Sequence, residues 1–233
     1  MAWIRYIAYF AAVALITWGL TQMEIMAPGS LKLRVLLQPG DVYGTSEYSP
    51  IEIIQAILLA ASGGVMAWVV RYCPTQRPIA ILFGGMALAF LIRELDFFLD
   101  RWIVDNLWQV LVVIVSALVI AYTYRHRKRL MVALGRIWPA PSLALLFAGA
   151  VILFAFVRFV GHEPLWQALL GDAYQRVIKQ GIEEFIELMG YFLWIIGSIE
   201  YAIEARAVAY RVPQPAARKR RDQRRAKKTG RRS

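Results

Sequence analysis

The chain has 233 residues, 59% of them hydrophobic, and its apolar residues come in long blocks rather than in the short amphipathic repeats of a soluble domain. The formal charge is +11, yet the basic residues gather at the ends of apolar blocks and from Arg218 onward, a distribution that points to membrane topology and not to nucleic acid as the partner. A single cysteine, Cys73, and two histidines, His126 and His162, exclude a disulfide framework and a zinc motif, and no cofactor is expected.

The first apolar block, about residues 3–22, approaches the ~20 residues that span a bilayer and is followed by no small-x-small cleavage site, so a retained helix is expected. A polar connection follows to Pro50. Within it Leu31-Lys32-Leu33-Arg34-Val35 alternates like a short strand or interfacial segment, and Gln38-Pro39-Gly40-Asp41 reads as a turn. The second span covers 51–70 and the third 79–102, joined by the tight basic loop from Arg71 to Pro78. Gly63-Gly64 and Gly84-Gly85 fall at similar depth in this hairpin, where small residues would let the two backbones approach.

The fourth span, 107–124, contains no ionisable side chain except the tyrosine phenols, and Arg125-His126-Arg127-Lys128-Arg129 follows it directly. The fifth span, 142–160, carries Arg158. A polar loop after it has room for a short surface helix around Pro164 to Leu170, and the sixth span runs over 182–203. Tryptophans and tyrosines near the span ends, Trp108 among them, fit an aromatic belt. Two regions result: a six-span domain over 1–210 and a basic, unfolded cytoplasmic tail over 211–233.

Counting Lys and Arg by side gives twenty on the face that carries both termini and five on the other. The fold expected is therefore an all-α bundle of six transmembrane helices, N-in and C-in, in a bacterial inner membrane. The tail, just inside the last span, suits contact with anionic lipid headgroups.

The ionisable residues inside these spans form one layer. At ~1.5 Å rise per residue, Arg93, Asp96, Glu52, Arg158 and Glu187 all lie roughly 22 to 28 Å from the cytoplasmic ends of their own helices. Glu94 belongs to the same layer, with Asp100, Glu183 and Glu184 nearer the outer surface. Helical spacing puts Arg93, Asp96 and Asp100 on one face and displaces Glu94 by about 100°. Carboxylates outnumber arginines in this set.

A carboxylate held in a bilayer without a full partner takes up a proton or captures a cation. The leading expectation is thus a binding or transport site for a proton, a small cation or an amine-bearing solute, made by Glu52, Arg93, Glu94, Asp96, Asp100, Arg158, Glu183, Glu184 and Glu187. A scaffold or assembly factor with a structural charged layer is the alternative. A third class is an intramembrane enzyme using paired carboxylates for acid/base work on a lipid-linked substrate. No catalytic residue is singled out, and His162-Glu163 falls short of a coordination shell. Glu200 and Glu204, one turn apart at the inner end of the sixth helix, are expected to balance Arg206 and other cytoplasmic charges.

Overall fold

The computed structural model describes residues 2–31 and 49–211. The stretch from Lys32 to Val35, the turn at 38–41 and the basic tail lie outside the described residues. Everything described is helix or short connection, with no strand.

Helix α1 is Ala2–Met26 and α2 is Pro50–Tyr72. The start of α2 is set by sequence: the Ile51 amide donates to Ser49 Oγ at 3.2 Å, the Ser49 amide donates to a Glu52 carboxylate oxygen at 3.2 Å, and Pro50 stands at the first helical position. Helix α3, Arg77–Glu94, returns antiparallel after a turn closed by the Arg77 guanidinium, which donates to the Val70 carbonyl at 3.0 Å. The third span is not continuous as expected over 79–102. At Leu95 the backbone leaves helical geometry (φ −100°, ψ 14°), and α4, Asp96–Trp102, is a separate helix. An aspartate followed by two phenylalanines has weak helical preference, and an Asp side chain competes for backbone groups.

Helices α5, Leu107–Arg125, and α6, Arg127–Ile137, follow. The fifth span begins as α7, Pro141–Val151, widens into a π-helical turn over Ile152–Phe156 and finishes as α8, Val157–Val160. The surface helix expected in the next loop is α9, Glu163–Leu170, and α10, Arg176–Arg211, is the longest element.

Helix α10 is the axis. It packs along α2 on one side and α7 on the other, while α3 fills the space between α2 and α5. Rings interlock at the centre: Phe83 and Phe90 of α3 meet Trp194 edge-on at centroid distances of 5.7 and 5.8 Å, the favoured aromatic geometry. Helix α7 closes on α10 through Gly149, Gly190 and Gly197, where an added Cβ would press on Gly190, Leu153 and Leu146 respectively. Helix α1 joins through Leu20, packed with Ile51, Leu188 and Phe192, and through Arg5, whose guanidinium makes two 2.9 Å bonds to the buried Glu200 carboxylate. Glu200 thus answers Arg5 of α1, one of the other charges expected at this end, while Arg206 stacks on Tyr210. Glu204 accepts from the Ser142 hydroxyl.

The basic stretches share one end of the bundle. The Tyr201 hydroxyl donates to the Gln76 carbonyl at 2.9 Å, and the Gln76 amide reaches the Ala133 carbonyl of α6 at 3.5 Å, which holds the 71–77 turn beside α6 and the C-terminal part of α10.

Five segments are long and apolar enough to cross a membrane: Trp3–Met26, Pro50–Tyr72, Leu107–Arg125, Pro141–Val160 and Ile178–Tyr210. Their outward faces are apolar too. Helix α5 buries no residue at all and exposes Val113, Leu118 and Ile120, as α1 exposes Ile7, Phe10 and Leu15. Apolar surface on this scale marks contact with something other than water, and with such lengths it points to a membrane-embedded protein.

Close approach in the α2–α3 hairpin is carried by Gly84 alone of the two glycine pairs. Gly84 lies against Met66 of α2, where a Cβ would sit 2.9 Å from the Met66 Cβ, and a Cβ on Gly85 would collide with Val119 of α5, whereas Gly63 and Gly64 border open space. Gly85→Val should therefore lower thermal stability by about 1–3 kcal/mol, and Gly63→Ala should leave it unchanged or raise it. Melting of the detergent-solubilised protein followed by size-exclusion fluorescence distinguishes the two.

Candidate functional site

The end of the bundle opposite the basic turns holds a charged cavity of about 400 Å³. Its wall takes Glu52 from the first turn of α2, Arg93 and Glu94 from the last turn of α3, Asp96 from α4, Arg158 from α8, and Glu183, Glu184 and Glu187 from α10. Eight of the nine residues singled out from the sequence line this one space. Asp100 does not; it sits further along α4 with one carboxylate oxygen buried and unpaired among the described residues. Asp96 and Asp100 both belong to α4, beyond the break at Leu95, and only Asp96, at its start, reaches the cavity.

Arg93 is the centre of the arrangement. Its Nη2 donates to Glu187 Oε1 at 2.5 Å and to Glu94 Oε1 at 2.9 Å, with Tyr191 Oη at 3.3 Å. The Tyr191 hydroxyl donates in turn to Glu94 Oε1 at 2.7 Å. Glu94 and Glu187 expose only 7% and 8% of their side chains, so their charge depends on this guanidinium. Adjacent on the helix, Arg93 and Glu94 still reach the same point on α10, because both side chains are long.

One turn before Glu187, Glu184 has a different environment. The buried Gln55 amide of α2 donates to its carboxylate at 3.1 Å and to its carbonyl at 3.2 Å. Gln55 Oε1, equally buried, has no donor among the described residues. Lys179 pairs with Glu183 one turn away at 3.3 Å and also reaches the Gly161 carbonyl at 3.2 Å. Arg158 and Arg176 complete the wall; both are exposed and make no hydrogen bond or ion pair among the described residues.

The cavity wall thus carries four cationic side chains and six carboxylates among the described residues. They are dispersed around the wall: among the described residues no three His, Cys, Asp or Glu side chains gather closely enough to hold a metal ion. His162 is exposed and outside the cavity, and Glu163 accepts from Gln167 at 3.0 Å.

Lys179, Arg176, Gln180 and Trp108 also line the cavity without having been singled out as site residues. Lys179 was legible as a partner four residues before Glu183, and Tyr191 as the residue one turn beyond Glu187. Nothing in the spacing marks Arg176, and Trp108 looked like any aromatic at a span end.

No family model, curated protein or solved structure matches the chain. The fold and the site together describe a helical protein with five segments long and apolar enough to cross a membrane and a charged cavity at one end of the bundle.

Tyr191→Phe removes the one hydroxyl that links Glu94 to Arg93. It should lower stability by about 1–2 kcal/mol in thermal melts, whereas the same change at Tyr210, exposed at the other end, should not register.

Proposed function

We propose that this chain is a six-span protein of a bacterial inner membrane, with both termini cytoplasmic, that binds an amine-bearing solute in the charged cavity at its outer face. Helix α3 supplies the sixth crossing. Its 18 residues extend ~27 Å, close to the ~30 Å hydrocarbon core, and its charges stand only at its ends, with Pro78 to Ile92 free of them. The shared end of the 71–77 turn, α6 and Arg5 supports the orientation, since positive residues are retained on the cytoplasmic side. That side would also bring the basic tail against anionic headgroups.

The observation that carries the binding reading is Glu184, a carboxylate at the cavity wall with no cationic partner among the described residues, beside a buried Gln55 Oε1 that has no donor among them; Arg93 is already engaged by Glu94 and Glu187, and Lys179 by Glu183. A cationic guest with N–H groups supplies the donor that both acceptors lack. An amine suits the dispersed carboxylates better than a bare metal ion, because an ammonium group satisfies acceptors one at a time through separate N–H bonds.

Ethylammonium, titrated into the purified protein and followed by saturation-transfer NMR, tests this reading. Binding should weaken at least about tenfold in Glu184→Gln, the loss expected for one charge-assisted hydrogen bond, while the melting temperature stays near that of the wild type. Absence of ethylammonium binding to the folded wild type would sink the proposal.

A further inference from the structure

A second hollow, also about 400 Å³, opens beside the charged cavity, and the two share Arg93, Trp108 and Arg158. The rest of its lining is almost wholly apolar. Helix α3 contributes a stripe from Leu82 to Arg93 and α5 a stripe from Trp108 to Ile120. Their spans of eleven and twelve residues correspond to ~16–18 Å, about the depth of one leaflet of a ~30 Å hydrocarbon core. Both stripes end in their polar or amphipathic residue at the same end, where the charged cavity begins.

The π-helical turn over Ile152–Phe156 carries Leu153 and Phe154 to the wall of the groove, with Arg158 at the junction two residues after the turn ends. Arg158 has no partner of its own among the described residues, though it stands between an apolar slot and a carboxylate-rich chamber. A larger apolar hollow of about 610 Å³ borders α2 on the other side of α3, but no charged residue lines it, so it has nothing with which to recognise a headgroup.

We infer that the amine-bearing ligand is an aminophospholipid, seated with an acyl chain in the groove between α3 and α5, its phosphate at Arg158 and its primary amine among the carboxylates of the cavity. This rests on the amine-binding reading above and extends it from the headgroup to the whole amphiphile. The order of chemistries along the site matches the order along the molecule. An alkyl chain meets the groove, a phosphate meets a guanidinium whose fork fits it bidentately, and an ammonium meets the Glu184 carboxylate with Gln55 Oε1 beside it, a buried acceptor without a donor among the described residues. Trp108 at the junction is suited to headgroup depth. Anionic lipids lacking the amine would bring no ammonium to these acceptors.

Full-length protein is to be reconstituted in vesicles of equal parts phosphatidylethanolamine, phosphatidylcholine and phosphatidylglycerol, extracted in mild detergent, and its retained lipid counted by native mass spectrometry. Phosphatidylethanolamine should be enriched over both others. Arg158→Gln, at an exposed side chain that leaves the fold alone, and Ser116→Trp, which fills the groove, should each cut that retention about tenfold, the loss of one charge-assisted contact. Equal retention of phosphatidylglycerol, or enrichment that neither variant alters, would overturn the inference. Ethylammonium binding without phosphatidylethanolamine enrichment would overturn it while sparing the amine reading, and failure of both would remove the two together.

Discussion

A guanidinium cannot shed its charge at any pH a cell reaches, and Arg93 stands at the end of a helix that is apolar for fourteen residues before it. Its position is tolerable only because Glu187 and Glu94 meet it at 2.5 and 2.9 Å. The dependence is mutual, since Glu187, 6% exposed on α10, has no other cation at bonding distance among the described residues. The pair therefore fixes the register of α3 against α10. Below it the rings of Phe83, Phe90 and Trp194 interlock in that same register, and on the far side of α10 the glycines at 149, 190 and 197 let α7 approach.

The same interaction organises the space around it. With Arg93 turned onto α10, the end of α3 forms a partition between a chamber lined by carboxylates and a groove lined by aliphatic and aromatic side chains, and both open at Trp108 and Arg158. A polar chamber joined to an apolar groove suits an amphiphile whose two ends have opposite solvent preferences, and neither hollow alone would select one. The Arg5–Glu200 and Gln76–Tyr201 contacts close the other end of the bundle, so the chamber is confined to one side.

Much of this was legible in the sequence, for a physical reason: charge inside an apolar block is expensive, so its placement is constrained. Counting residues from the helix ends put Glu52, Arg93, Arg158 and Glu187 in one layer, and these four line one cavity. The finer assignments depended on assuming regular helices. Asp100 lies outside the cavity on the separate helix α4, and of the second glycine pair only Gly84 serves the contact with α2, Gly85 lying against α5. Depth along a helix survives such irregularities, whereas rotation about its axis does not. Which of the basic residues at that end pairs with Glu200 was not legible, because Arg5 lies 195 residues away and no local spacing rule reaches that far.

The most direct measurement exchanges the charges of the central pair. Arg93→Glu and Glu187→Arg, made singly, each set like charges together at a buried point, and each should lower the melting temperature and the amount of folded protein in the membrane. Made together they restore one cation between two carboxylates, and most of the loss in both quantities should be recovered. A double variant no more stable than the sum of the two single losses predicts would contradict the view that this pair fixes α3 on α10.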